Sequence, residues 1–257
     1  MIPIRHADFT HLAGAYANRV GYSLSVVRNL LTSLGITSDS IIADVGAGTG
    51  KYSADLLKFS FVKRIIAVEP NDAMRNEGER LMIDPRVVWK KGSGENTGLQ
   101  ASSVDWVVMA SSFHWVDAPK ALTEFRRILK DQGYFTAIWN PRNILEGSIH
   151  QDIEKKIYAI APHIRRVSSG SSSSTATLFD SLISSGEFKD VWYTEVHHTE
   201  RMTRERYLGI WQSVNDIRAQ AGPYAWDEIL AAIKDLMSEH EHIDVPYRTR
   251  AWTVQRV

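Results

Sequence analysis

The stretch Ile41-Ile-Ala-Asp-Val-Gly-Ala-Gly-Thr-Gly-Lys-Tyr52 runs from an apolar strand pattern into alternating glycines, and from there into a helical pattern. Glycine at 46, 48 and 50 permits positive φ and lets a ligand approach the backbone where a Cβ would stand in the way. Outward from this turn the pattern repeats. Ile41–Val45, Arg64–Glu69, Val87–Lys90, Val104–Met109 and Tyr134–Trp139 are short apolar runs, and Tyr52–Phe59, Asp72–Met82 and Pro119–Leu129 between them have helical spacing. Strands that are apolar on both faces and alternate with helices indicate a parallel sheet covered on each side, most simply a doubly wound α/β sheet.

The flanking regions read differently. Asp8 to Leu34 is helical in pattern, with Gly35 as its stop, so residues 1–35 are expected as an N-terminal helical lid ahead of a core at 36–140. Ile149–Ile160 is expected as a helix, followed by a serine tract in which Ser168, Ser169 and Ser171–Ser174 bury nothing; the tract is expected to be mobile and to belong to a gate. Thr203–Gln220 and Trp226–His240 read as amphipathic helices. Residues 141–187 and 203–246 are then a helical cover, with terminal strands at 188–202 and 247–257, all in a single domain of residues 1–257. The chain has 30 basic and 30 acidic side chains and no cysteine. Zero net charge offers no general field for nucleic acid or an anionic membrane, and the absent thiols exclude disulfides, Cys-held metals and a cysteine nucleophile. No apolar run approaches the ~20 residues that span a bilayer. A cytoplasmic protein, monomeric or homodimeric, with no nucleic acid or membrane partner, is the expectation.

Three nucleotide loops compete for the glycine turn. A P-loop needs a Lys followed by Ser or Thr, and Lys51 is followed by Tyr52. A dinucleotide fingerprint needs glycine at the sixth position of Gly-x-Gly-x-x-Gly, and that position is Lys51. The turn of S-adenosylmethionine (SAM) proteins, an acidic strand followed by Gly-x-Gly-x-Gly, is matched by Asp44 and all three glycines. Glu69, nineteen residues after Gly50, closes the second strand where a carboxylate accepts bonds from ribose hydroxyls. Both NAD and SAM use such an acid.

Four segments in order, Asp44–Gly50, Val68–Arg75, Val104–Asp117 and Glu124–Gly133, resemble class I SAM-dependent methyltransferases of the type 11 domain group. The triplet Phe113-His114-Trp115 resembles the branch containing trans-aconitate methyltransferase-like enzymes. The resemblance implies a Rossmann-like, mostly parallel seven-stranded sheet whose seventh strand is antiparallel, under an α-helical lid. It implies SAM as cofactor and S-adenosylhomocysteine as product, with O, N and C methylation all open, while the expected helical cover, closing the reacting centre to water, fits a small-molecule acceptor. Asp44, Gly46, Ala47 and Gly48 would line the methionine part, Glu69 would hold the ribose, and Pro70 and Met74 would flank the adenine. Ser93, Gly94 and Glu95 align with the adenine-binding turn after the third strand, with serine where an aspartate is usual. Ala110 would offer its carbonyl to the SAM ammonium. Tyr16-Ala-Asn-Arg19-Val-Gly-Tyr22 resembles the family's N-terminal motif, making Arg19 the partner of the SAM carboxylate and Tyr16 a lid over it.

Methyl transfer needs a base only where the acceptor is protonated at rest. His114, after the fourth strand, is the candidate base or acceptor-orienting residue, since its ordinary pKa lies near neutrality. Trp115, Trp139, Asn140, Tyr207, Trp211, Ser213 and Tyr247 are candidates for the acceptor pocket, although Trp211 with Leu208, Val214 and Ile217 also reads as a core-facing stripe. His197-His198 alternate across a strand and His240-Glu-His242 end a helix, so no metal site is expected. Arg126-Arg127 and Arg165-Arg166 read as solvated positions. Two other classes stay open: a non-catalytic SAM- or adenosine-binding protein, and an NAD-dependent oxidoreductase, which Lys51 disfavours.

Overall fold

The computed structural model describes residues 18–165, 175, 178–184 and 186–257. Helix α1 spans Leu24–Ser33 and strand β1 Ile41–Val45, followed by α2 at Lys51–Leu57, β2 at Arg64–Val68, α3 at Asp72–Leu81 and β3 at Val87–Lys90. Strand β4 covers Val104–Ala110, a 3-10 turn Phe113–Trp115, α4 Ala118–Ile128 and β5 Leu129–Trp139. Then come α5 at Ile149–Ile160, α6 at Leu178–Ile183, β6 at Phe188–Thr203, α7 at Arg204–Gln212, α8 at Asn215–Leu236 and β7 at His242–Arg256. Among the described residues seven strands form one sheet in the order β3-β2-β1-β4-β5-β7-β6. The strands from β3 to β5 are parallel, and β7 runs antiparallel to both β5 and β6. The mostly parallel sheet and its antiparallel seventh strand are as the sequence implied.

Alternation along the central strands divides the core. Ile42, Trp106 and Val108 face α1 and α2, packing with Leu30, Leu31, Tyr52 and Leu56. Ala43, Val45 and Val107 face the other way onto Leu122 and Phe125 of α4. Burial on both faces is what forces the apolar strand runs. A third cluster lies apart: Ile153 and Ile157 of α5, Tyr207 and Trp211 of α7, Ile229 and Ile233 of α8, and Ile243, Val245 and Tyr247 of β7.

Register explains how that third cluster reaches the ligand edge. β5 ends at Trp139, paired with Arg250, whereas β7 begins at His242 and continues its pairing with β6 out to Thr203. Because β7 runs against β5, residues 242–249 lie beyond the carboxyl end of the sheet. The two-stranded ribbon overhangs that edge and carries the cover helices on it.

Several boundaries differ from expectation. β7 opens at His242, so residues 242–246 belong to the strand and not to the helical cover. The expected Asp8–Leu34 helix starts at Leu24 within the described residues, because the Tyr22 N–H donates to the Asp55 carboxylate and the Ser23 N–H to Thr249 Oγ1. With those donors committed, residues 18–23 form a strap against the sheet; Tyr16 lies outside the described residues, as does the Ser168–Ser174 tract. The helix expected to reach Gln220 stops at Gln212, where Ser213 Oγ turns back onto the Ile210 carbonyl. α8 already runs from Asn215, through a kink at Gly222-Pro223, and ends before His240. The short α6 was not foreseen.

Candidate active site

The glycine turn stands at the carboxyl end of β1, with Gly46 at φ +70° and Gly48 at φ +60°. A Cβ on Gly46 would lie 2.7 Å from the Ser112 side chain, so the turn and the loop after β4 are closed onto each other. The Gly46 and Ala47 N–H groups both donate to the Val68 carbonyl, tying the turn to the end of β2.

Asp44 and Glu69 form the acidic wall of this cradle. Asp44 is fully buried; its Oδ2 accepts from Ser53 Oγ at 2.7 Å, while Oδ1 has no hydrogen-bond partner. Burial pushes its pKa up to about 7, against the Ser53 hydrogen bonds that lower it, and Glu69 adds to the rise. Glu69 accepts from the Gly48 N–H and the Asn71 N–H, both at 2.8 Å, and burial raises its pKa. Each Glu69 oxygen keeps a lone pair for a further donor. Met74 is buried with its Cε beside Gly48, whereas Pro70 is exposed at the rim. The residues present fit SAM: a buried carboxylate oxygen lacks a donor, a second carboxylate is open to ribose hydroxyls, and Gly46 and Gly48 carry the turn at positive φ between them.

Beside the cradle, Ser93 and Gly94 form a turn in which the Ser93 N–H donates to the Asn96 carbonyl, and Gly94 packs on Val116. Glu95 Oε1 accepts from the Asp117 N–H at 2.8 Å, so its carboxylate anchors the loop leading into α4. Ala110 ends β4, and Ser111 after it stands at φ +54° with its hydroxyl 2.7 Å from that of Tyr22.

A second cluster occupies the carboxyl ends of β4 and β5. His114 is accessible to solvent, with Trp115 at 4.6 Å between ring centroids and Trp139 at 6.4 Å. The Trp139 indole N–H donates to His114 Nδ1 at 3.4 Å. Surrounding protein and the nearby Arg19 charge push the His114 pKa down to about 4, so the ring is neutral at pH 7. An indole only donates, so Nδ1 must accept and the ring proton sits on Nε2. His114 therefore presents a donor where a base was considered.

Arg19 bonds Ser213 twice, to Oγ at 3.0 Å and to the carbonyl oxygen at 2.9 Å, joining the N-terminal strap to the end of α7. Asn140 faces the same strap: Nδ2 donates to the Gly21 carbonyl and Oδ1 accepts from Thr249 Oγ1. Its amide is thus a strut between the strap and β7. Tyr207, Trp211 and Tyr247 are buried together under the cover, Trp211 in the core-facing stripe with Val214 and Ile217, beside a residue the sequence did not single out. Arg142 stacks its guanidinium over Trp211 at 4.0 Å and lies 6.0 Å from the Tyr207 ring centroid. Arg142, Asp55 and Thr249 carry no local motif, and only the tertiary pairing exposes their roles; Tyr22 closes the N-terminal motif, but its bonds to Asp55 and Ser111 are likewise seen only in the fold. Among the described residues no group of three or more His, Asp or Glu side chains could hold a metal ion, and no helix is long and apolar enough to cross a membrane.

Residues 43–137 match the family model described as "Methyltransferase domain". Among similar proteins, a methyltransferase-like protein of Schizosaccharomyces pombe is 33% identical over 134 residues, covering 52% of this chain and 51% of that protein. A methyltransferase of Mycobacterium bovis is 33% identical over 110 residues, 43% of this chain and 44% of its own. The matched stretch spans about half the length of these curated relatives. Of the solved structures, a protein assigned as a type II methyltransferase from Anaeromyxobacter dehalogenans superposes with a TM-score of 0.68 at 22% identity, covering 91% of this chain and 97% of that one. Phosphoethanolamine N-methyltransferase 2 of Haemonchus contortus, bound to phosphomonomethylethanolamine and S-adenosylhomocysteine, gives 0.55 at 15% identity, covering 98% and 58%. At such identities the structures speak for the fold alone. Residues 43–137 thus match a methyltransferase domain, and the sheet order around them is that of the class I, SAM-dependent kind, with a cradle that fits SAM as cofactor. The relatives named here do not single out the trans-aconitate branch.

Proposed function

We propose that the chain transfers the methyl group of SAM to a small-molecule acceptor enclosed between the sheet edge and the helical cover, acting as a cytoplasmic monomer or homodimer. The observation that carries the reading is the buried Asp44 carboxylate, whose Oδ1 lacks a partner at the mouth of the glycine turn. A buried unpaired carboxylate oxygen is costly, and a cationic ligand group offsets that cost. Asp44, Gly46, Ala47, Gly48, Glu69, Pro70, Met74 and Ala110 would hold the cofactor, with Ser93 and Gly94 at its adenine end and Arg19 at its carboxylate. When bound, the cofactor supplies a methyl group activated by an adjacent sulfonium, so alignment of the acceptor carries much of the rate.

His114 orients the acceptor through Nε2–H, with Trp139 fixing the tautomer and Trp115 covering the ring. The overhanging cover excludes water from the reacting centre. A methyl-release assay over a metabolite panel tests the activity, and two variants test the residue. His114→Gln, which keeps a donor, retains within about tenfold of wild-type turnover, whereas His114→Ala loses on the order of a hundredfold at unchanged SAM affinity. With SAM saturating, so that the bound cation keeps Asp44 ionised, turnover is flat from pH 6 to 9, because the folded His114 pKa of about 4 lies below that range. Equal loss in both variants, or a rise in turnover with a midpoint near 6.5, would restore the base.

A further inference from the structure

We propose that Arg142 is the anchor for an anionic group on the acceptor, and that the acceptor is a small molecule bearing a carboxylate or phosphate remote from the methylated atom. The inference rests on the methyl-transfer reading above and adds the substrate class. Arg142 lies three residues beyond Trp139, where the chain leaves β5 at the ligand edge, and its backbone bridges Tyr247 under the overhang. Its guanidinium contacts rings only, over Trp211 and toward Tyr207, and among the described residues it has no carboxylate partner and no side-chain hydrogen bond. Half-buried arginines normally find an acid, as Arg75, Arg86 and Arg206 do in this chain. Stacking fixes the plane of the guanidinium while leaving its N–H fork open, which is the arrangement that takes an oxyanion bidentately.

The neighbours keep that charge unopposed. His150 Nε2–H donates to the Asp244 carbonyl at 3.1 Å, so Nδ1 accepts the Tyr207 hydroxyl at 3.0 Å. Burial and the Arg142 charge hold the His150 pKa down, and Tyr247, raised by burial, keeps its proton. The three residues around the guanidinium, His150, Tyr207 and Tyr247, are therefore neutral, and the other cation acting on Tyr247, Arg206, is paired with Glu200. The cluster is also joined to the cofactor side, since Trp211 stands two residues before Ser213, which Arg19 grips.

The test is calorimetry on the full chain saturated with S-adenosylhomocysteine, titrated with benzoate, phenyl phosphate and the neutral isostere benzamide. The wild type is expected to bind benzoate or phenyl phosphate at least tenfold more tightly than benzamide, whichever of the two binds better naming the oxyanion. Arg142→Gln removes the preference, and Arg142→Lys keeps part of it. The heat of S-adenosylhomocysteine binding, unchanged in both variants, reports folding and the cofactor reading separately; its absence in the wild type would overturn that reading and this one with it. Should Arg142→Gln lose that heat, Arg142→Lys against wild type decides. No preference for an anion in the wild type, or a preference surviving in the variants while the cofactor binds normally, overturns the role of Arg142 alone.

Discussion

Asp44 and His114 are perturbed in opposite senses, Asp44 by full burial and His114 by the protein around its ring and the Arg19 charge. A carboxyl raised from 3.8 to about 7 binds its proton more tightly folded than unfolded, so the folded state holds more protons across that range and its stability falls as pH rises through it. His114, lowered from 6.5 to about 4, makes the unfolded chain the better proton acceptor between those values, so its contribution grows with pH there. The difference between Asp44→Asn and wild type isolates the first effect. Without ligand, the melting temperature of the variant relative to wild type is expected to climb by several degrees from pH 5 to 8, at roughly 2–4 °C per kcal/mol for a chain of this size. A difference that stays constant over that range would show that Asp44 is not the strained group. Asp44 and Glu69 were legible because acid and glycine positions around one turn are set by local backbone demands. The Trp139–His114 bond was not, because a single indole on a strand end gives no sign of the ring it meets.

Between elements, the strap at residues 18–23 is held by a relay from the Ser23 N–H to Thr249 Oγ1, from the Thr249 hydroxyl to Asn140 Oδ1, and from Asn140 Nδ2 to the Gly21 carbonyl. Three elements far apart in sequence meet there, and the strap carries Arg19 to Ser213. Asn140→Ala breaks the relay in the middle and leaves the Gly21 carbonyl and Thr249 hydroxyl short of partners, a cost of about 1–3 kcal/mol. The variant is expected to exchange the Tyr22 and Ser23 amides at least tenfold faster and to bind SAM several-fold more weakly, with protection in β1 and β4 retained. Unchanged exchange at those amides would remove the strap from the account. The starts and ends of β1 and β3 agree with the sequence because apolar runs bounded by turn residues determine them locally. Within the described residues, helical pattern runs on through 18–23 and across 213–214 where the structure breaks it, because backbone donors and acceptors there are claimed from elsewhere, by Asp55, Thr249 and Arg19.

At the scale of the molecule, the sheet supplies a rigid edge and the β6–β7 ribbon hangs a separately packed helical cover over it. On the proposed function, acceptor choice falls to that cover, where Arg142, Tyr207 and Trp211 meet through pairings that no linear pattern announces, and cofactor choice to the turn after β1. The division is why the cofactor was readable from motifs and the acceptor was not. The central claim is that the turn and its two carboxylates hold an adenosyl sulfonium, and calorimetric titration of the full chain with SAM, alongside NAD, tests it most directly. One molecule of SAM is expected to bind per chain with a measurable heat that Glu69→Gln weakens at least tenfold, and NAD is expected to give none. Heat from NAD with none from SAM would contradict the assignment of this cradle.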